Sequence, residues 1–431
     1  MNSIYVLLNL AVALLVGLML SRLAKLVKLP AVTAYLVAGI LIGPYCLGAL
    51  KIEGLGFISM ENIHTYGLVS DVALGFIAFL IGNEFRLAQL KKTGKQATVI
   101  GIVQAVFTTL VVDAALIGLH FIIPDKLPLP TAIILGAIAS ATAPAATLMV
   151  VKQYKAKGPV TDVLLPVVAL DDAVGLVLFA VSFGVAKALI AGHVNVLSVI
   201  VEPILEVVLS LALGTVMGLL FTWFERFFHS RSKRLSMSVA FVFFTVAFSM
   251  LKFEIGGVHI GFSSLLTCMM LGTVFCNVCD FSEELMDRLD RWTAPLFLLF
   301  FVISGAELEL SVFSDIMVVL IGLVYIAFRC LGKYFGAGFS ARATGCDSNI
   351  IKYLGITLFP QAGVALGMAT KAGEALGDIG ILISNITLFS VLIYELVGPF
   401  LTKQALTKAG EIKPEGRVSS RVKDTILVRK P

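Results

Sequence analysis

Two adjacent aspartates, Asp171 and Asp172, lie inside the otherwise apolar segment 161–186. An acidic side chain at the centre of a bilayer costs about 2.5–3.5 kcal/mol on insertion scales, and two neighbouring carboxylates disfavour joint ionisation. Because neighbours on a helix point about 100° apart, one aspartate can face a cavity while the other faces adjacent helices. A carboxylate that holds either a proton or a small cation, never both, is the minimal device for exchanging one for the other.

Two prolines interrupt apolar segments elsewhere, Pro144 within 130–151 and Pro360 within 353–370. A proline removes one helical hydrogen bond, and in lipid the freed carbonyl needs another partner. If the two breaks cross at mid-membrane, half-helix ends and free carbonyls meet there and can ligate a cation. The residues predicted at this crossing are Ser140, Thr142, Ala143, Pro144, Pro360, Gln361 and Gly363.

Other polar residues in apolar segments are candidates for supporting roles. Arg329 and Lys333 are four apart in segment 316–338 and share a helix face. Lys333 is expected to extend to the cytoplasmic surface. Arg329 is deeper, and the sequence leaves open whether it pairs with a buried acid of the core. Asn385 follows Pro360 at nearly the spacing that separates the aspartates from Pro144, so it is a further candidate, as is Ser304.

Composition indicates that lipid is the solvent of this chain. Of its 431 residues, 58% are hydrophobic and 14% charged, and the mean hydropathy is +0.98. A soluble enzyme is excluded, because soluble domains are nearer a quarter charged. The sequence predicts an all-α polytopic protein with a transmembrane domain at 1–403 and a short basic tail at 404–431. The thirteen predicted spans are 3–21, 31–49, 65–83, 96–122, 130–151, 161–186, 199–225, 235–251, 258–275, 292–308, 316–338, 353–370 and 379–402.

The placement of positive charge predicts orientation. Lys and Arg concentrate in the odd-numbered loops and the tail, and are sparse in the even-numbered loops. By the positive-inside rule, the amino terminus is outside and the tail is cytoplasmic. The expected location is the inner membrane of a bacterium.

An internal repeat is also legible. The third span ends with Gly82 and Glu84, and the tenth ends with Gly305 and Glu307 at the same spacing. In each half a proline-interrupted helix follows two spans later, which makes spans five and twelve the broken helices. The halves are seven spans apart, so the second is inverted relative to the first. Inverted repeats with one broken helix each are typical of secondary transporters.

These features resemble the monovalent cation:proton antiporter superfamily, in the Nap-type and Kef-type branch of the sodium/hydrogen exchanger domain. The matching stretches are 29–44, 140–145, 170–172 and 361–367. The resemblance implies a homodimer in which a core (96–186 and 316–402) moves as an elevator against a dimerisation domain. It also implies that Asp172 is the main ion and proton carrier, that Asp171 assists it, and that Thr142 helps to ligate the cation.

One departure from the resemblance concerns charge. Relatives that move net charge carry a lysine in the tenth span, which pairs with the first aspartate. Residues 295–305 contain no lysine, so Asp171 is expected to lack that partner and the stoichiometry stays open.

The favoured function is Na⁺/H⁺ exchange, with K⁺/H⁺ exchange as the alternative. A sodium-coupled solute symporter or an ion channel is more distant, because the crossing offers only small polar groups and no repeated selectivity filter is visible. The expected partners are a monovalent cation, protons, lipid and a second copy of the chain. No cofactor and no nucleic acid are expected.

Overall fold

The computed structural model describes residues 3–26, 29–191, 196–251, 253–255, 258–308 and 310–412. Helices dominate these ranges. The α-helices are α1 (Ser3–Leu26), α2 (Ala31–Ile42), α3 (Met60–His64), α4 (Gly67–Gly82), α5 (Leu87–Ile122), α6 (Leu129–Ile138), α7 (Pro144–Tyr154), α8 (Pro159–Ala191), α9 (Val196–Glu225), α10 (Arg231–Ser249), α11 (Ser264–Val278), α12 (Ser282–Trp292), α13 (Ala294–Ala306), α14 (Ile316–Ala343), α15 (Ser348–Thr357), α16 (Gly363–Leu376) and α17 (Asp378–Lys408). Short 3₁₀ turns lie at Leu47–Leu50, Asn83–Phe85 and Leu310–Ser314, and β1 (Phe253–Ile255) pairs antiparallel with β2 (Val258–Ile260).

Every predicted span contains one of these helices or a pair of them. Among the described residues, seven helices are long and apolar enough to cross a membrane by themselves, and the bent pair α12–α13 would make an eighth. The multi-pass character is therefore confirmed, whereas the count of thirteen crossings stays a prediction.

The region after α10 differs from the prediction in two ways. The ninth span was predicted from residue 258, but Val258–Ile260 forms a strand and α11 begins only at Ser264. Helix α12 was not predicted. It buries Leu285, Met286 and Leu289 on one face while its charged residues lie elsewhere on the helix, which is the pattern of a helix that lies along a surface.

The two proline-containing segments are both broken helices, and their breaks meet. Residues 139–143 separate α6 from α7, and residues 358–362 separate α15 from α16. Pro144 opens α7 and Gly363 opens α16. The Ala143 amide donates a hydrogen bond of 2.8 Å to the Pro360 carbonyl, which joins the breaks directly. The two breaks are therefore in direct contact, at a point called the crossing.

The helices around this crossing are named here the crossing helices (α5–α8 and α14–α17), and the others the flanking helices (α1–α4 and α9–α13). Glycines bring pairs of flanking helices into backbone contact. A Cβ on Gly305 of α13 would clash with the backbone of Leu36 in α2, and one on Gly82 of α4 would clash with the backbone of Met269 in α11. These contacts fix the flanking helices against one another.

Candidate functional site

The first aspartate, Asp171 of α8, is completely buried and has a partner on each carboxylate oxygen. Its Oδ1 accepts a hydrogen bond from the Gln104 side-chain amide of α5. Its Oδ2 accepts from the Thr142 hydroxyl in the first break and from the Lys333 ammonium of α14, whose Nζ lies 2.6 Å away. Three crossing helices and one break therefore converge on this single carboxylate.

Lys333 contradicts two predictions. Its side chain is fully buried rather than extended to the surface, and it also donates to the Ser140 carbonyl and, over 2.9 Å, to the Thr142 hydroxyl. Helix α14 continues to Ala343, so Lys333 lies about 15 Å from the helix end, too far for its side chain to reach water there. The expectation that Asp171 lacks a lysine partner is thus wrong, because α14 supplies the lysine that the tenth span does not.

The second aspartate, Asp172, is only 1% exposed. Neither of its oxygens has a hydrogen-bond or ion-pair partner among the described residues. The charges of Asp171 and Lys333 act on it from nearby without a direct contact. An ionised carboxylate buried without a partner is very costly, so Asp172 requires a bound proton or a bound cation.

Arg329 holds the two breaks together. Its side chain is fully buried, and its Nε donates to the Ala139 carbonyl over 2.9 Å. Its Nη2 donates to the Ala141 carbonyl over 2.6 Å, and its Nη1 crosses to the Phe359 carbonyl over 2.7 Å. Of the two roles left open by the sequence, pairing with a buried acid does not occur among the described residues. The guanidinium instead satisfies carbonyls that both breaks leave without helical partners.

Most backbone oxygens at the crossing are therefore already occupied. The Ser140 carbonyl accepts from Lys333, and the Pro360 carbonyl accepts from the Ala143 amide. Free carbonyls were predicted as cation ligands, and several of them instead accept hydrogen bonds from Arg329, Lys333 and Ala143, which leaves each a single lone pair for any other ligand. Among the described residues, the side-chain oxygens that stay open near the crossing include both of Asp172 and the Oε1 atoms of Gln104 and Gln361.

The remaining predicted residues divide into two groups. Gln361 is buried in the crossing, where its amide donates to the Ile138 carbonyl and to the Tyr325 hydroxyl, each over 2.9 Å. Ser140 uses its hydroxyl within its own helix, on the Ala137 carbonyl. By contrast, Ser304 and Asn385 are partly exposed, and within the described ranges neither forms a hydrogen bond with the crossing.

Gln104 was missed by the sequence reasoning. A glutamine inside a long apolar segment is a weak signal, because one side-chain amide can be satisfied by its own helix. Here its amide does donate to the Gly101 carbonyl of α5, over 3.2 Å, as well as to Asp171. Its Oε1 is buried without a partner among the described residues.

The amino terminus of α8, which carries both aspartates, is capped by a residue that follows α17. The Glu411 carboxylate accepts from the Val160 amide over 2.6 Å, from the Thr161 amide over 2.9 Å, and from the Thr161 hydroxyl over 2.6 Å. The Glu411 carbonyl also accepts from the Lys157 amide over 3.2 Å. A carboxylate at this position satisfies free amides and complements the helix dipole. The end of α17 is thereby tied to the start of α8.

Comparison with known proteins agrees with this arrangement. The family model described as "Sodium/hydrogen exchanger, transmembrane" matches residues 10–408. The chain belongs to this family. Its members are transporters rather than enzymes.

Individual relatives match over nearly the whole chain. The Na⁺/H⁺ antiporter NhaS4 of Synechocystis is 23% identical over 404 residues, which cover 91% of this chain and 94% of that protein. The K⁺/H⁺ antiporter subunit KhtU of Bacillus subtilis is 24% identical over 417 residues, 94% of this chain and 96% of that protein. Among solved structures, the sodium proton antiporter MjNhaP1 of Methanocaldococcus jannaschii superposes with a TM-score of 0.74 at 18% identity, over 96% of this chain and all of that one.

Proposed function

We propose that this family member exchanges a monovalent cation for protons, and that Asp172 is the group that carries them. The observation that supports this proposal is the contrast between the two aspartates. Asp171 is held by Gln104, Thr142 and Lys333, whereas Asp172 is also buried and has no partner among the residues that the structure describes. A carboxylate in that situation must take up either a proton or a cation before it is stable, so each ligand excludes the other.

Na⁺ is the proposed cation. The likeness to NhaS4 and to MjNhaP1, both named for sodium and proton exchange, supports this choice. K⁺ is the alternative, because KhtU is as similar and covers as much of the chain.

The ion pair beside Asp172 supports exchange of more than one proton per cation. A cation bound at Asp172 would add positive charge close to the Lys333 ammonium, whose charge already acts on Asp172. Repulsion between like charges in a buried site favours loss of a proton from the lysine. Binding of one cation at Asp172 would then release two protons, one from each residue, and the cycle would move net charge.

For alternating access, the crossing helices would move as an elevator against the flanking helices. The three hydrogen bonds of Arg329 and the Ala143–Pro360 bond join the two breaks and support their movement as one body. Two chains would associate through flanking helices as a homodimer, with the amino terminus outside and the tail cytoplasmic.

The experiment is an exchange assay on purified protein in liposomes with an imposed pH gradient. Addition of Na⁺ should collapse the gradient. Asp172→Asn should abolish the collapse, whereas Asp125→Asn, at an exposed turn between α5 and α6, should leave it intact. Gel filtration should show the same folded state for both variants. Full exchange by Asp172→Asn would disprove the assignment. The same assay with Li⁺, Na⁺, K⁺ and Rb⁺ at a clamped potential would identify the cation and the net charge moved.

A further inference from the structure

A second buried carboxylate, Glu395 of α17, takes no part in the site around Asp172. The residue is 5% exposed, and its Oε2 is buried without a hydrogen-bond partner. Among the described residues, no ion pair or hydrogen bond reaches its side chain. The same cost that applies to Asp172 therefore applies to Glu395.

Glu395 and Asp172 are equally far, along their helices, from two helix ends that are bonded to each other. The bonds of Glu411 to Val160 and Thr161 set the end of α17 level with the start of α8. Asp172 lies 13 residues after Pro159 at that start, and Glu395 lies 13 residues before Lys408 at that end. Each is therefore about 20 Å from the common level, measured along its helix.

Glu395 is also close to the crossing. Gly398 lies three residues after Glu395 on α17 and packs directly on the second break. A Cβ at Gly398 would lie 3.0 Å from the Cγ of Pro360. Pro360 is the residue whose carbonyl accepts from Ala143 in the first break. The turn of α17 that follows Glu395 thus adjoins the crossing.

The acidic neighbour of Glu395 lies where the two sets of helices meet. Glu307 follows α13, between Ala306, which packs in a flanking cluster with α1 and α2, and Leu308, which packs in the cluster of the crossing helices. Leu308 and Tyr394, which adjoin Glu307 and Glu395 in the chain, pack in that same cluster of the crossing helices. Movement of the crossing helices against the flanking helices would change the separation of Glu395 and Glu307.

Basic residues on the helices that contact α17 do not neutralise Glu395. Arg329 places its guanidinium over the Tyr394 ring, 4.5 Å from its centroid, and donates to carbonyls. Lys333 is paired with Asp171. The other described lysines of these helices are either paired, as Lys152 is with Asp290, or exposed, as Lys352 and Lys371 are.

We propose that Glu395 is a second proton-binding carboxyl of the exchanger, which holds a proton while it is buried near Glu307 and releases it when movement of the crossing helices separates the two residues and admits water. A proton needs one unpartnered oxygen, whereas a dehydrated cation needs several oxygen ligands. Glu395 offers one such unpartnered oxygen and therefore suits a proton. This inference rests on the proposed function, because it assigns to the same transport cycle a proton carried apart from Asp172 and Lys333.

The first test detects the proton itself and does not depend on transport. Infrared spectra of Asp172→Asn protein in lipid should show a protonated-carboxyl band at neutral pH that disappears on titration to alkaline pH. In Asp172→Asn/Glu395→Gln the contribution of one carboxyl to this band should be missing. It should persist in Asp172→Asn/Glu61→Gln, where the replaced carboxyl is exposed on α3. Persistence of the full band without Glu395 would overturn the proposal, whatever the outcome of the exchange assay.

The second test asks whether that proton moves. The reversal potential of exchange in liposomes gives the number of protons per cation, and Glu395→Gln should lower this number relative to the unmodified chain and to Thr402→Val. Thr402 is a matched control, because its hydroxyl is also buried without a partner on α17. Glu395→Asp keeps a carboxyl and should restore the ratio. If Glu395→Gln folds poorly, this variant shows that the lower ratio is due to the missing carboxyl. An unchanged ratio in Glu395→Gln would make Glu395 a static protonated residue and would refute the transport role.

Discussion

The Nζ atom of Lys333 lies 2.6 Å from Oδ2 of Asp171, and both side chains are completely buried. Removing two charges from water is expensive, so such a pair is a weak source of net stability. Removing only one partner is much worse, because it leaves an uncompensated charge. The pair also distinguishes the two neighbouring aspartates, since Asp172 has no such contact.

Removing the ammonium should therefore destabilise the fold strongly. Lys333→Met is expected to lower the free energy of unfolding by about 3–5 kcal/mol, because the Asp171 carboxylate is left unpaired. Thermal unfolding in detergent measures this effect, with Lys352→Met, at an exposed position of α15, as the control. The double variant Lys333→Met/Asp171→Asn should recover most of the loss. A double variant no more stable than Lys333→Met would contradict a buried ion pair.

Replacing the arginine at the crossing should separate the breaks. Arg329→Gln loses donors to carbonyls of both broken helices, so exchange should fail and the free energy of unfolding should drop by at least about 2 kcal/mol. Arg329→Lys should not restore exchange, because an ammonium lacks the planar fork that reaches three carbonyls. Arg342→Gln, at an exposed site on the same helix, is the control. Exchange by Arg329→Lys at the unmodified rate would show that the fork is dispensable.

Competition at Asp172 predicts how exchange depends on pH. Only the deprotonated carboxylate binds the cation, and binding is proposed to release the Lys333 proton as well. A tenfold increase in proton concentration should therefore raise the apparent KM for the cation about tenfold where one of the two groups is protonated, and up to about a hundredfold where both are. The maximum rate at saturating cation should stay constant over that range. Initial rates at several cation concentrations and at equal pH on both sides of the membrane provide the measurement. A constant KM with a falling maximum rate would indicate that protons act somewhere other than the cation site.

Loss of the cap on α8 should loosen the start of the helix that carries both aspartates. Glu411→Ala should cost about 0.5–2 kcal/mol and speed hydrogen exchange at the Val160 and Thr161 amides. Asp315→Ala is a matched control, because Asp315 caps α14 in the same way through the Met317 amide. Its effect should be confined to α14. If the Val160 and Thr161 amides exchanged hydrogen equally slowly with and without the Glu411 side chain, the cap would be ruled out.

The aspartates and the two breaks could be predicted because each is a local exception to a strong pattern. A carboxylate or a proline inside an apolar run is visible without any knowledge of neighbouring helices. The partner of Asp171 could not be found in this way. The position of Lys333 relative to Asp171 depends on how far α14 continues beyond residue 338 and on which helix it packs against, and neither is encoded in local spacing.

The role of Arg329 was unclear for a related reason. Its sequence position fixes its helix face but not the identity of the acceptors opposite. An arginine in an apolar segment suggests an acid as partner, whereas the structure places it against backbone oxygens that a break leaves free. Helix α12 was missed because a short charged segment has no long apolar run, although its period-3.6 pattern is clear once it is sought.

The glycine contacts between flanking helices have a mechanical consequence. At Gly305 and at Gly82, one main chain rests directly on another, with no side chains between them to slide or change rotamer. Such close backbone contacts leave no space for the two helices to change their packing angle. Any movement between helices must then occur where side chains separate them. Even Gly305→Ala would push α13 and α2 apart, because its Cβ would clash with the Leu36 backbone.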